Sequence, residues 1–226
     1  MLRNVSTLLI LAAIAGAIPA FAADGQILIN QASVMAAGGF PFSIFQPGSY
    51  KLSGNLQVPA GKDGIQISAS HVTLDLNGFT IQGAISCQGK VCTAPPTDTS
   101  NGIVFSGDET VVRNGHVVGF SIGIQDLTLA VGTIEDVHIS QNAAFGIFAT
   151  FSLVRRNDIS ANGGLGLSCG GCAVSENVIA FNAGGGVNLG GGTFSANVID
   201  SNEGTNAFFS ASVVSAHNNN CNNSGC

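Results

Sequence analysis

Short apolar runs recur along the C-terminal half of the chain at a nearly constant interval. A glycine followed by an apolar residue occurs at the positions Gly102-Ile103, Gly123-Ile124, Gly146-Ile147, Gly166-Leu167 and Gly186-Val187, with Ala207-Phe208 as a degenerate sixth copy. The spacings between these copies are 21, 23, 20, 20 and 21 residues. Apolar and polar residues alternate within each run, as expected for strands with one buried face. The pattern therefore predicts a repeat of short strands, and no helical periodicity competes with it.

Asparagine residues recur in phase with these runs and form two columns. The first column lies two residues before an isoleucine and contains Asn157, Asn177 and Asn197, with Asn114 and Asn218 as extensions. The second column lies three residues after the isoleucine and contains Asn142, Asn162, Asn182 and Asn202. Stacked asparagine side chains can hydrogen-bond along a column. We therefore interpret both columns as structural ladders.

The repeat predicts an all-β fold, a single-stranded parallel β-helix. One coil of about twenty residues cannot bury its apolar face alone, whereas stacked coils can. Gly and Asn tolerate positive φ, which sharp corners between strands require. The coils are predicted for residues 64–226, interrupted at 84–100 by a loop with its own disulfide. Residues 23–63 are predicted to form an N-terminal cap and the first strands, with 27–37 as a strand or a short cap.

The first 22 residues have the pattern of a secretory signal peptide. Arg3 supplies a positive charge, residues 8–15 form an apolar run, and Ala20-Phe21-Ala22 is a small-x-small cleavage pattern. The alternative is an uncleaved membrane anchor, for which the apolar run is short. We expect cleavage after Ala22 and a secreted, periplasmic or cell-surface location. No membrane span is expected after removal of the signal.

The six cysteines occur as three local pairs, which are Cys87 with Cys92, Cys169 with Cys172, and Cys221 with Cys226. An even count in an exported chain predicts disulfides. Free thiols and a metal or redox use of the Cys169-Gly-Gly-Cys172 unit are the alternatives. A redox motif needs a strand-to-helix setting, and zinc needs two further ligands. The sequence therefore favours three local disulfides.

Charge and composition limit the partners. Charged residues make up 9% of the chain and its formal net charge is −6. The only adjacent basic pair is Arg155-Arg156, so the chain lacks the basic patch that nucleic acid requires. A polysaccharide or a cell-surface component is the expected partner. One predicted column, Arg113, Asp136, Arg156 and Glu176, alternates in sign and is interpreted as a solvated charge ladder.

Three segments carry a resemblance to a known group of proteins. They are Gln46-Pro47-Gly48-Ser49-Tyr50-Lys51-Leu52-Ser53-Gly54-Asn55-Leu56, Val72-Thr73-Leu74-Asp75-Leu76-Asn77-Gly78-Phe79, and Val112-Arg113-Asn114-Gly115. Over roughly residues 40–220 the chain resembles exported bacterial right-handed parallel β-helix repeat proteins of the pectate-lyase-like superfamily. The resemblance implies a right-handed solenoid. It does not imply one activity, because such proteins include polysaccharide lyases, glycoside hydrolases, epimerases and adhesins.

Candidate chemistry is sparse. The resemblance implies Asn-Thr-Asp, Asp-Asp, His-Gly and Arg-Ile-Lys motifs in a hydrolase and a Trp-x-Asp-His motif in a lyase, and none occurs here. The outward column after each Gly-Ile step is predicted to contain Val104, Gln125, Phe148, Ser168, Asn188 and Phe209. Asp126 is the one ionisable residue near this column. His116 aligns with the inward isoleucines and is interpreted as a core or corner residue.

No catalytic residue, metal site or cofactor is assigned from the sequence. The chain is predicted to be a noncatalytic exported β-helix, either structural or binding a carbohydrate or a surface component. The alternative is a polysaccharide lyase or glycoside hydrolase acting on an acidic or neutral polysaccharide. The oligomeric state is left open.

Overall fold

The computed structural model describes residues 25–93, 98–127, 131–216 and 218–222. The predicted signal peptide and Cys226 lie outside these residues. The N-terminal elements are β1 (Ile27–Ile29), α1 (Gln31–Ala36), β2 (Phe42–Ile44), β3 (Gly48–Leu52), β4 (Leu56–Gln57), β5 (Ile65–Ile67), β6 (Val72–Asp75), β7 (Thr80–Gln82), β8 (Ser86–Gln88) and β9 (Val91–Thr93). The central strands are β10 (Asn101–Phe105), β11 (Thr110–Val118), β12 (Ile122–Asp126), β13 (Gly132–Ser140), β14 (Phe145–Thr150), β15 (Leu153–Arg155), β16 (Asp158–Ser160) and β17 (Leu165–Gly170). The C-terminal strands are β18 (Cys172–Ser175), β19 (Val178–Ala180), β20 (Gly185–Leu189), β21 (Gly192–Ser195), β22 (Val198–Asp200), β23 (Ala207–Phe209), β24 (Val213–Ser215) and β25 (Asn220–Cys221).

The strands stack into three parallel faces. The first face follows the order β1-β3-β6-β11-β13-β15-β18-β21-β24. The second face contains β4, β7, the C-terminal halves of β11 and β13, then β16, β19, β22 and β25. The third face follows the order β2-β5-β10-β12-β14-β17-β20-β23. This arrangement is an all-β parallel β-solenoid and confirms the predicted fold class, while right-handedness remains a prediction from the resemblance.

The core consists of three columns of inward side chains, one from each face. Each residue of a column pairs in register with the same position in the next coil. The first column contains Leu74, Val112, Ile134, Val154, Val174 and Phe194; the second contains Ile81, Val117, Ile139, Ile159, Ile179 and Ile199; the third contains Ile65, Ile103, Ile124, Ile147, Leu167 and Val187. All are at most 1% exposed. Burial of each such side chain contributes about 1.5–3 kcal/mol, which explains the apolar periodicity.

The N-terminal segment already belongs to the stack. Strand β1 pairs with β3, and β2 pairs with β5, both in parallel. Helix α1 follows β1, and Asn30 and Ser33 form a reciprocal capping box at its start. The segment 27–37, for which the sequence predicts a strand or a short cap, therefore contains one strand and one short helix. The stacked strands begin well before residue 64, where the repeat becomes visible in the sequence.

Residues other than glycine form most corners between the first and second faces and between the second and third faces, although Gly119, with φ of 80°, lies at the second of these corners after β11. At these two corners, ten of the described residues other than glycine have φ between 52° and 61°. Between the first and second faces they are Asn77, Asn114, Asp136, Arg156, Glu176 and Ala196, and between the second and third faces they are Gln141, Ala161, Phe181 and Ser201. The sequence had indicated Gly and Asn for this role. Asparagine and glycine therefore occupy some of these corners, and charged, aromatic and small side chains occupy the others in the left-handed conformation.

The glycines of the Gly-Ile repeat serve close packing rather than a positive φ. A Cβ atom on Gly166 would lie 2.7 Å from Nδ2 of Asn182 and 2.8 Å from both the Gly186 oxygen and Cγ2 of Ile179. A Cβ atom on Gly146 would have equally little room, since it would lie 2.6 Å from the Gly166 oxygen. Real Cβ atoms do not approach so closely in packed interiors. The repeated glycine therefore lets the second asparagine column lie against the backbone of the third face.

The interrupting segment forms a disulfide-linked antiparallel hairpin, β8 and β9. Ile85 starts it by donating its N–H to the Gly119 oxygen. The Cys87 sulfur then lies 3.1 Å from the Gln141 oxygen, two coils beyond β7. At the tip, Lys90 donates to the Ser201 oxygen at 3.0 Å and pairs with Glu203 at 3.4 Å. The hairpin therefore runs along the stack at the corner between the second and third faces.

Candidate functional site

The two asparagine columns form continuous buried ladders. In the second column, Nδ2 of Asn142, Asn162 and Asn182 donates to Oδ1 of the next asparagine at 3.0, 2.9 and 2.8 Å. In the first column, Asn157, Asn177 and Asn197 do the same at 3.0, 3.0 and 3.1 Å, ending on Asn219. Each Oδ1 also accepts the backbone N–H one coil earlier. These amides are satisfied within the wall and leave no free group for a ligand.

Two predicted ladder members, Asn114 and Asn218, lie elsewhere. Gly115 pairs with Val137, so Asn114 is level with the corner residue Asp136, and its amide donates to Asp75 at 3.0 Å. The ladder level at this coil is occupied by Gly115, where a Cβ would lie 2.4 Å from Cβ of Leu76. An asparagine does not fit there. Asn218 accepts from the Ala196 N–H, and Asn219 takes the ladder position.

The cysteine prediction is confirmed for two of its three pairs. Cys87 is joined to Cys92 in the hairpin, and Cys169 is joined to Cys172 at the turn from the third face to the first. Cys169 and Cys172 are both buried. The third predicted pair includes Cys226, which lies outside the described residues. Both observed bridges occupy structural positions.

A row of ionisable side chains lies on the second face. His116, His138 and Asp158 pair in register on β11, β13 and β16. They alternate with the buried residues Val117 and Ile139, so their side chains point outward. The prediction of His116 as a core or corner residue is wrong, because it followed from placing Asn114 in the ladder. The one-residue shift at Gly115 moves His116 to the outward side of the strand.

His138 and Asp158 form an ion pair across two coils. Nδ1 of His138 lies 3.1 Å from Oδ2 of Asp158, and the two side chains are 36% and 50% exposed. The hydrogen bond that His138 donates to the Asp158 carboxylate raises the pKa of His138 above its usual value. The bond from His138, with help from Ser160, lowers the pKa of Asp158. Both groups are therefore held in their charged forms at mildly acidic pH.

His116 extends this row on the other side of His138. The two imidazole rings have centroids 5.5 Å apart and planes inclined at 59°. Thr80 occupies the same column one coil before His116. Because Nδ1 of His138 faces Asp158, its Nε2 is the nitrogen left for other partners. Within the part of the chain that is described, no cluster of three or more metal-ligating side chains is present.

A charged network lies on the adjoining corner. Arg155 contacts Glu135 at 2.7 Å, and Arg156 contacts Glu135 at 3.0 Å and Asp136 at 2.8 Å. The hydrogen bond from Arg156 lowers the pKa of Asp136. Arg113 pairs in register with Glu135 rather than Asp136. The predicted charge ladder is therefore divided between two columns, because the one-residue shift at Gly115 moves Arg113 to the column of Glu135 and Arg155.

The third face presents a neutral outward column. We define the amide–aromatic column as five residues that pair in register from β12 to β23. They are Gln125, Phe148, Ser168, Asn188 and Phe208. Phe148 is 38% exposed and Phe208 is 61% exposed. The sequence had placed Phe209 here, but Phe209 pairs with the inward Leu189, and the predicted member Val104 is buried.

The ring of Phe148 is supported from the side. The Phe145 ring lies with its centroid 5.4 Å from that of Phe148, in a tilted arrangement. Asp126, the ionisable residue next to this column, is 4% exposed and accepts hydrogen bonds from the N–H and hydroxyl of Thr150. Asp126 therefore supports the wall, and its hydrogen bonds to Thr150 point away from an acid or base role.

Comparisons with known proteins are few. No protein-family model and no curated protein matches the chain. Among solved structures, the crystal structure of the Dettilon tailspike protein (gp208) matches with a TM-score of 0.46 and 17% sequence identity. The match covers 76% of this chain and 45% of the tailspike chain. The class defined by the described residues is a parallel β-solenoid. In those residues, no helix is long and apolar enough to cross a membrane.

Proposed function

We propose that the chain is an exported β-solenoid that binds a neutral polysaccharide along its third face without cleaving it. The observation that carries the proposal is the amide–aromatic column, five uncharged outward residues in consecutive coils. Parallel strands lie about 4.8 Å apart, so the column extends over about 19 Å. An extended sugar chain is a ligand of matching shape.

The side chains of the column match the chemistry of sugars. Aromatic ring faces pack against the apolar faces of sugar rings, and Phe148 and Phe208 present such rings. The amides of Gln125 and Asn188 both donate and accept, as hydroxyl groups require. A neutral glycan fits better than a uronate, because the column supplies no cation to pair with a carboxylate.

Binding is tested by affinity electrophoresis and a glycan array with neutral and uronate polysaccharides. We expect Phe148→Ala to weaken binding about tenfold, equivalent to about 1.4 kcal/mol, a magnitude usual for an aromatic contact. Phe181→Ala is the matched control, since Phe181 is 54% exposed but lies at a corner outside the column. Equal losses in the two variants, or binding to uronates alone, would contradict the proposal.

The same polysaccharides test the proposal that the chain binds its ligand without cleaving it. After incubation with calcium we expect neither new reducing ends nor unsaturated products. Turnover that an Asp or Glu substitution abolishes would favour the lyase or hydrolase alternative.

Mass spectrometry of the purified exported protein is expected to find a mature chain that starts at Ala23.

A further inference from the structure

We propose that His116 and His138 together bind a divalent transition-metal ion such as Zn²⁺ or Cu²⁺, with Asp158 as a positioning residue. The two histidines occupy the same outward position on neighbouring coils of the second face. Parallel pairing holds their backbones about 4.8 Å apart, so the two imidazoles are brought together by the wall itself. The site is separate from the amide–aromatic column on the third face.

The separation of the rings suits one shared ion. With a Zn–N bond of about 2.0–2.1 Å, the centroid of a ligating imidazole lies about 3.2 Å from the metal. Two such rings at a tetrahedral angle then have centroids about 5.2 Å apart. The observed separation of His116 and His138 is 5.5 Å. Rotation of the exposed His116 side chain would bring its ring towards a shared ion, while Asp158 keeps the half-exposed His138 ring in place.

Asp158 completes the arrangement expected around a metal-binding histidine. Such histidines usually donate their second ring N–H to a carboxylate, which fixes the tautomer and raises the basicity of the ligating nitrogen. The contact between Nδ1 of His138 and Oδ2 of Asp158, at 3.1 Å, has this form. This contact leaves Nε2 of His138 as the nitrogen that can bind an ion. Asp158 acts through His138, so it is an outer partner and not a ligand.

The class of ion follows from the donor atoms. Imidazole nitrogens favour Zn²⁺, Cu²⁺ and Ni²⁺ over Ca²⁺ and Mg²⁺, which prefer oxygen. Two protein ligands leave the other positions to water. The formal charge of −6 also favours cations near the surface. Arg155 and Arg156, on the adjoining corner, are paired with Glu135 and Asp136 and do not counter this effect.

A second histidine provides a matched control. Nε2 of His71 lies 3.2 Å from Oε2 of Glu109, so His71 also has a carboxylate partner. The coil next to it presents Glu109 rather than a second imidazole. If an exposed histidine with a carboxylate partner were sufficient, His71 would bind the metal ion as tightly as the His116–His138 pair does. If two adjacent imidazoles are required, His71 contributes nothing to the affinity for the ion.

The test is calorimetric titration of the tag-free full chain with Zn²⁺ at pH 7.5, supported by electron paramagnetic resonance with Cu²⁺. We expect one ion per chain and two nitrogen ligands in the Cu²⁺ spectrum. His116→Ala and His138→Ala should each weaken binding at least tenfold, whereas His71→Ala should change it by less than twofold. Losses confined to His71→Ala, or to His217→Ala outside the described residues, would overturn the proposal, as would unchanged binding in His116→Ala.

The role of Asp158 has its own readout. Asp158→Asn should weaken Zn²⁺ binding by about tenfold or more, within the range seen for outer partners of metal ligands. It should also change the tautomer population of the metal-free His138 ring, measured from its nitrogen chemical shifts. A loss of affinity with an unchanged tautomer population would show that Asp158 does not position His138. Circular dichroism of each variant checks that the solenoid remains folded.

Discussion

Replacement of Asn182 by alanine tests the energetic role of the asparagine ladders. Asn182 is fully buried. Its Oδ1 accepts from the backbone N–H and Nδ2 of Asn162 at 3.1 and 2.9 Å. Its Nδ2 donates to the Ile159 oxygen at 3.0 Å and to Asn202 at 2.8 Å. The substitution removes these four bonds together.

The expected loss follows from what remains. Nδ2 of Asn162 keeps its bond to the Ile139 oxygen, and Asn202 still accepts from the backbone of residue 182. The Asn162 N–H loses its partner inside the wall, which costs about 1–3 kcal/mol. The two bonds donated by Nδ2 contribute about 1 kcal/mol each. We therefore expect Asn182→Ala to lower the free energy of unfolding by about 3–5 kcal/mol.

Urea unfolding followed by far-ultraviolet circular dichroism measures this loss. Asn188→Ala is the control, because Asn188 lies in the next strand, β20, but is half-exposed and outside the ladders. It should cost less than about 0.5 kcal/mol, as is usual for such surface sites. Hydrogen exchange should show faster exchange of the Asn162 amide in Asn182→Ala alone. Equal unfolding midpoints for the two variants would refute the reasoning.

Three other expectations concern the ion pair, the repeated glycines and the hairpin. His138→Ala should lower the free energy of unfolding by about 0.2–1 kcal/mol near pH 5 and by less at pH 9. The ion pair stabilises the fold below the unfolded pKa of His138, and this stabilisation is lost as pH rises through the raised folded pKa. Equal shifts of the urea midpoint at pH 5 and pH 9 would contradict this. Below the lowered pKa of Asp158 the stabilisation is lost again, so it should peak between the two pKa values. Gly166→Ala should lower the urea midpoint by more than Gly61→Ala, although Gly61 has positive φ, because the Gly166 site has no room for a methyl group. Replacement of Cys87 and Cys92 by serine should accelerate hydrogen exchange around residues 141–142 and 201–203, which the hairpin contacts, and unchanged exchange there would show that the disulfide does not hold it.

The repeat could be predicted from sequence because each coil must bury an apolar side chain at the same positions. Residues such as Ile159, Ile179 and Ile199 recur at the coil period since every coil buries the same position. The two short-range disulfides could be predicted for a similar reason, because their partners are neighbours in sequence. Wherever the coil length is constant, the sequence period and the structural register agree.

The candidate sites were harder to predict, because they depend on register in coils of irregular length. Asn114 resembles a ladder residue in sequence, yet only glycine fits the ladder level in that coil, so the register shifts by one residue. That shift also hid the histidine pair. His116, His138 and Asp158 are separated by 22 and 20 residues, close to the coil period, and this spacing was the signal that could have revealed them.

The hairpin also links two levels of the solenoid that are several coils apart. Its root lies at Gly119 and its tip, Lys90, reaches Ser201, four strand steps further on the second face. Those steps correspond to about 19 Å, close to the about 17 Å that five extended residues span. Duplication or deletion of one coil inside this interval would displace Lys90 from its contacts by about 4.8 Å. An added or deleted coil is therefore expected to keep these contacts only when it lies outside the interval that the hairpin spans.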